Sequence, residues 1–93
     1  MDNIFYTLIT GASEGFGKAL AIECASRNMH LVLVALPGSG LQLLGPYLKE
    51  TFGIQVIVIE KDLCKEDGCL QVYQEVQRTG VQVNMLLNNA GIG

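Results

Sequence analysis

Residues 7–21 read TLITGASEGFGKALA, an apolar run that enters a glycine-rich turn and leaves it as a helix-like segment. Gly11, Gly15 and Gly17 sit at that junction. Glycine is placed where the backbone needs positive φ or where another group must come close, and a helix N-terminus facing such a turn attracts phosphate. Several glycine loops share this physics but differ in spacing. A Walker A loop needs Gly, four residues, then Gly-Lys-Ser/Thr, because the Lys grips the outer phosphates and the hydroxyl holds Mg²⁺. Here five residues separate Gly11 from Gly17, and Lys18 is followed by Ala19. The spacing GxGxxG fails as well, since Leu20 stands where the third glycine is required.

Working outward, four short apolar runs recur: Ile4–Ile9, Leu31–Ala35, Ile54–Ile59 and Val83–Leu87. Near-continuous apolarity over strand length is what a parallel strand covered on both faces requires. Helix-period segments lie between them. The first offers Phe16, Ala19, Leu20, Ile22 and Cys24 as a broad apolar face; the third offers Cys69, Val72, Tyr73 and Val76 as a core-facing stripe. In the second, Leu41, Leu44 and Leu48 suggest a helix, but Gly45-Pro46 predicts a kink or two short helices. The βαβαβαβ order predicts an α/β fold with a parallel sheet wound by right-handed crossovers. No repeat, low-complexity tract or linker interrupts it.

Composition limits the partners. The 93 residues are 49% hydrophobic and 16% charged, with a net charge of −3, which favours a packed core over disorder. No Lys/Arg cluster is present, so nucleic acid and anionic membrane are not expected partners. No apolar run reaches membrane-spanning length, and the acidic start MDNIFYTL does not read as a signal peptide. Cys24, Cys64 and Cys69 form no CxxC pair, so reduced thiols and a cytoplasmic location are expected.

Thr10-Gly11-x-x-x-Gly15-x-Gly17 resembles the glycine pattern of the short-chain dehydrogenase/reductase family. The alternative is a tight turn with no ligand. Two further stretches join the resemblance: Leu86–Gly93, LLNNAGIG, is similar to the family's Asn-Asn-Ala-Gly motif, and Asp62-Leu63 is similar to its acidic adenine contact. The resemblance implies a Rossmann-like sheet of strand order 3-2-1-4, with helices one and two on one face and helix three on the other. It also implies a dinucleotide site. Gly11, Ser13, Glu14, Gly15, Phe16 and Gly17 would border the pyrophosphate and adjacent ribose, and Leu36 would stand at the second strand's end. Asp62 and Leu63 would meet adenine, while Asn88, Ala90 and Gly91 would line the ribose and nicotinamide side. Asp62 is otherwise a helix N-cap, and Asn89 reads as a tie between strands.

The implied cofactor is NADP or NAD, with the choice open. The end of the second strand, ALPGSG, carries neither the acid that suits NAD nor the Arg that suits NADP, Glu14 would repel a 2′-phosphate, and Ser39 is only a weak donor. The family's hydride-transfer chemistry uses a Tyr with a Lys four residues on and a Ser upstream. Tyr6, Tyr47 and Tyr73 are followed at that spacing by Thr10, Thr51 and Gln77, so no catalytic residue is assigned. His30 reads as an inert connection residue, Glu60, Lys61, Glu66 and Asp67 as a solvated edge, and no His/Cys cluster suggests a metal. The expected domain is therefore residues 1–93 as a partial NAD(P)-binding unit, truncated after strand four and lacking the catalytic half. The alternative is a non-enzymatic nucleotide-binding or self-associating fragment. Self-association through the uncovered sheet face or the strand-four edge is expected.

Overall fold

Apolar runs of five or six residues bury themselves only if something covers both their faces, and the computed structural model, which describes residues 4–89, shows how this is done. The elements in order are β1 (Phe5–Thr10), α1 (Gly15–Ser26), β2 (His30–Ala35), α2 (Leu41–Phe52), β3 (Val56–Glu60), α3 (Gly68–Thr79) and β4 (Gln82–Asn88). All pairings are parallel and the order is β3-β2-β1-β4, as expected. Central β2 is the most deeply buried: Leu31, Val32, Leu33 and Val34 are wholly inaccessible to solvent.

Successive residues of each strand point to opposite faces. Ile9, Leu31, Leu33 and Ala35 pack with Ala21, Cys24 and Ala25 of α1 and with Leu41, Leu44 and Leu48 of α2. Tyr6, Val32, Val34 and Ile59 pack with Val72 and Val76 of α3 on the other face. Helices one and two thus share a face and α3 takes the opposite one. β4 pairs only with β1 among the described residues, and its Met85 and Leu86 are exposed. The β1–β4 register shifts between Tyr6 and Thr7, leaving Asn84 as the extra residue.

Three local expectations are corrected. First, α2 runs as one helix through Gly45-Pro46 and not as two short ones. The hydrogen bond that Pro46 removes belongs to the carbonyl of Gln42, on the exposed side of the helix, where water replaces it cheaply. Gly45 is buried against β3, and a β-carbon there would lie 2.5 Å from Cγ2 of Val58. The glycine permits close approach and does not end the helix.

Second, the buried side of α1 is Gly17, Ala21, Cys24 and Ala25, whereas Phe16 and Ile22 are exposed. Small residues let α1 lie close to the sheet, which displaces the larger ones to the rim. Third, only Val72 and Val76 of the expected α3 stripe reach the core; Cys69 and Tyr73 face solvent. On that face Val72 and Val76 pack with Tyr6, Val32, Val34 and Ile59, and the rest of the stripe stays in solvent.

Candidate functional site

All four parallel strands end at one edge of the sheet, and the strand order reverses there: β1 connects first towards β2 and later chain returns on its other side as β4. Doubly wound sheets form their ligand crevice at this reversal. The backbone after β1 turns sharply. Gly11 has φ 63°, the amide of Ala12 donates to the Val34 carbonyl at 3.2 Å, and Glu14 is extended before Gly15 opens α1 with φ 59°. Nothing lies within 4 Å of the place a Gly15 β-carbon would occupy. That position therefore faces open space at the helix N-terminus.

Gly17 is different. A β-carbon on it would collide with the Gly11 carbonyl and lie 2.7 Å from the Asn89 side-chain amide. Its lack of a side chain lets α1 pack closely on the β1–β4 ends. The same corner is tied by polar bonds. Thr10 Oγ1 donates to Asn88 Oδ1 at 2.8 Å and accepts from the Asn89 amide at 2.9 Å, while Asn89 Nδ2 donates to the Gly11 carbonyl at 3.3 Å. Asn89 is the strand tie expected of it, and Asn88 shares that work.

A cleft of about 940 Å³ opens over these strand ends. Of the residues expected from sequence, it brings together Gly11, Ser13, Glu14, Gly15, Phe16, Leu36, Asp62 and Leu63. Gly17 and Asn88 are not among its lining residues, and Ala90 and Gly91 fall outside the described residues. Asp62 caps no helix: its Oδ1 accepts from the Cys64 amide at 2.9 Å in a local turn, and α3 starts only at Gly68. Residues that sequence reasoning did not place in the cleft are Val34, Ala35, Ser39, Lys61, Cys64 and Asn89. Val34, Ala35 and Lys61 had a signal in their position at strand ends, and Ser39 had only its weak donor hydroxyl in the stretch after the second strand.

That loop is held by Glu60, half-exposed at the end of edge strand β3. Its Oε2 accepts from the Gly38 amide at 3.2 Å and its Oε1 from Gln42 Nε2 at 3.1 Å. Ser39 Oγ is shielded from solvent and has no hydrogen-bond partner among the described residues. An unpaired buried hydroxyl costs about 1–3 kcal/mol, so it marks a place where a polar group is due. His30 stands apart from the cleft: its Nδ1 accepts from the Gln55 amide at 2.9 Å and its ring lies 5.5 Å from that of Tyr6. No trio of His, Cys, Asp or Glu is placed to hold a metal ion among the described residues, and no helix there is long and apolar enough to cross a membrane.

Known proteins share this arrangement. The chain is 32% identical over 87 residues to 17-beta-hydroxysteroid dehydrogenase type 3 of Rattus norvegicus, which covers 94% of this chain and 28% of that protein. Against 11-beta-hydroxysteroid dehydrogenase A of Sesamum indicum it is 35% identical over 85 residues, 91% of this chain and 24% of the relative. Among solved structures, L-sorbose reductase from Gluconobacter frateurii, complexed with NADPH and L-sorbose, superposes with a TM-score of 0.88 at 34% identity, covering 98% of this chain and 35% of that one. The chain thus spans about a quarter of the length of these curated relatives. The sequence pattern described as short chain dehydrogenase matches residues 6–93, taking in the glycine turn, the crossovers and the β4 end together. On the fold, the strand-end cleft and this match, the chain belongs to the short chain dehydrogenase family.

Proposed function

We propose that this chain is the dinucleotide-binding part, over residues 1–93, of a nicotinamide-dependent oxidoreductase whose complete form interconverts an alcohol and a carbonyl. The observation that carries the reading is the cleft of about 940 Å³ at the strand-order reversal, into which the bare Gly15 backbone opens at the start of α1. Helix N-termini of this kind favour the negative charge of a pyrophosphate. The volume suits an extended ligand with apolar and polar parts. Its walls match those parts: Leu36 and Leu63 give apolar contact, while Ser13, Lys61, Asp62 and Asn89 give polar groups. NADPH is the cofactor named with the sorbose reductase and with a short-chain dehydrogenase from Sphingobium yanoikuyae.

A bound nicotinamide would supply the hydride donor or acceptor. The residues of this chain bind and orient it. Gly11, Ser13, Gly15 and Phe16 border the pyrophosphate, Phe16 through its backbone, and Glu14 and Leu36 flank the adjacent ribose. Asp62 accepts from the adenine amino group with the oxygen its turn leaves free, and Leu63 packs beside it. Gly17 belongs with the pyrophosphate turn, and the family resemblance assigns Asn88, Ala90 and Gly91 to the ribose and nicotinamide side. Tyr6, Tyr47 and Tyr73 lack a Lys four residues on, so the proton-transfer group belongs to the complete protein.

The exposed β4 edge, with Met85 and Leu86, favours association of this chain through that strand. Its free cysteines accord with the cytoplasm.

The test is calorimetric titration of the chain with NADPH and NADH, beside Gly15→Val. Saturable binding that the variant loses, with its melting transition retained, supports the reading. A folded chain that binds neither dinucleotide would sink it.

A further inference from the structure

Resting on the cofactor reading above, we propose that Cys64 and Cys69 are a thiol pair that closes reversibly to a disulfide and so switches the adenine end of the cleft, with the oxidised chain binding dinucleotide more weakly. Both thiols are exposed, whereas Cys24 is buried. Four residues, Lys65 to Gly68, separate them where the connection from β3 enters α3. Cys64 lines the cleft beside Asp62 and Leu63. Cys69 is the second residue of α3 and stands outside the cleft lining.

The chain between them doubles back. The Lys65 amide donates to the Asp62 carbonyl at 3.1 Å and the Gly68 amide to the Lys65 carbonyl at 3.0 Å, two tight turns in succession. They bring Gly68 against the start of the connection: a β-carbon there would overlap the Asp62 carbonyl and lie 2.9 Å from Leu63 Cα. Glycine lets the two backbones touch in this way. Cys64 and Cys69 follow Leu63 and Gly68 directly, so each thiol hangs from one of the two touching segments. A disulfide asks that its Cα atoms lie within about 7 Å of each other. Residues 63–67 belong to no helix or strand, so the adjustment that remains is made in loop backbone and breaks no sheet pairing.

Closure reaches the binding residues through one hydrogen bond. The Cys64 amide donates to Asp62 Oδ1 at 2.9 Å and fixes that carboxylate, the group read above as the adenine contact. Drawing the Cys64 sulfur towards α3 turns this peptide, loosens the bond and takes the thiol out of the cleft wall. The chemistry balances with a small disulfide, oxidised glutathione, as the oxidant. One cysteine attacks it, releasing one glutathione thiol and forming a mixed disulfide. The second cysteine displaces the other glutathione, so the protein gives up two protons and two electrons and the oxidant leaves as two thiols. Where a reducing pool keeps thiols free, disulfides of this kind are transient and serve as sensors.

The experiment treats the chain with oxidised glutathione, maps the products by mass, and titrates NADPH and NADH into the reduced, the oxidised and the dithiothreitol-recovered forms. The peptide carrying Cys64 and Cys69 should lose two hydrogens while Cys24 stays a free thiol. Affinity for both dinucleotides should fall together by about fivefold, the worth of a single hydrogen bond, and return on reduction. Cys69→Ser should instead accumulate a glutathione adduct at Cys64 and never the internal link. Stable adducts on both cysteines, links between chains, or an internal disulfide with unchanged affinity would overturn the proposal while leaving the cofactor reading standing. So would a loss confined to NADPH, or a disulfide form that has lost its melting transition. A folded, reduced chain that binds neither dinucleotide would remove the cofactor reading and the switch together.

Discussion

The two faces of the sheet are built from the same kind of residue but closed to different degrees. Under α1 and α2 the side chains of Ile9, Leu31, Leu33, Leu41 and Leu48 are fully buried. Under α3 only Val32 and Val34 are, and both come from central β2. Farther along that face Leu8 and Val83 are only partly covered, and Leu86 of β4 is 60% exposed. Two helices on one side bury a strand pair completely, whereas one helix on the other leaves the β1–β4 half of its face open. Stability should therefore be concentrated on the α1/α2 side, and the ligand turn sits on that side's rim.

The largest test of this contrast is a pair of truncations. Leu33→Ala, in the closed face, should cost about 3–4 kcal/mol, against about 1 kcal/mol for Val76→Ala under α3, by denaturant melts. Equal losses would break the contrast. Gly45→Ala comes next. Alanine gains about 1 kcal/mol of helix propensity, but its β-carbon meets the stiff Val58 side chain, an overpacking cost of about 1–3 kcal/mol. A net loss of about 1 kcal/mol is expected, and a stabilised variant would show that α2 sits less tightly than its buried glycine indicates.

A pH test on the same face is smaller. Burial of Cys24, aided by Glu23 and opposed by Arg27, pushes its thiol above the ordinary value. A raised folded value means that stability is fully present below the unfolded thiol's range and is lost as pH rises through the folded one. Melts across the alkaline range should show a decline that Cys24→Ala lessens. Cys64 and Cys69, both exposed, should react with a thiol reagent before Cys24 does. The smallest effect on stability belongs to Leu86→Lys on β4, within about 0.5 kcal/mol of the parent. Light scattering should nonetheless show less association, and unchanged association would direct attention to the sheet face and away from its edge.

Much of this was legible in the linear chain. The continuous apolarity of Leu31–Ala35 required a strand covered on both faces, and β2 is such a strand. The glycine spacing separated this turn from other phosphate loops, and eight of the expected site residues do line one cleft. What was not legible involves partners distant in sequence. Gly17 shares the glycine signature with Gly15, yet one packs against Gly11 and Asn89 while the other faces open space. Glu60 reads as one charge among several until the loop at Gly38 and Gln42 is seen folded onto it.

Period and glycine placement along the chain thus decided the alternation of strands and helices, the parallel winding and the edge at which a ligand would bind, because these depend on local backbone geometry and on which residues exclude water. Tertiary packing alone decided which side of α1 is buried, that α2 passes through Pro46, and that Lys18, Ser13 and Ser39 meet around one cavity. Those outcomes rest on distances between segments brought together by the crossovers, and no spacing within a single segment encodes them.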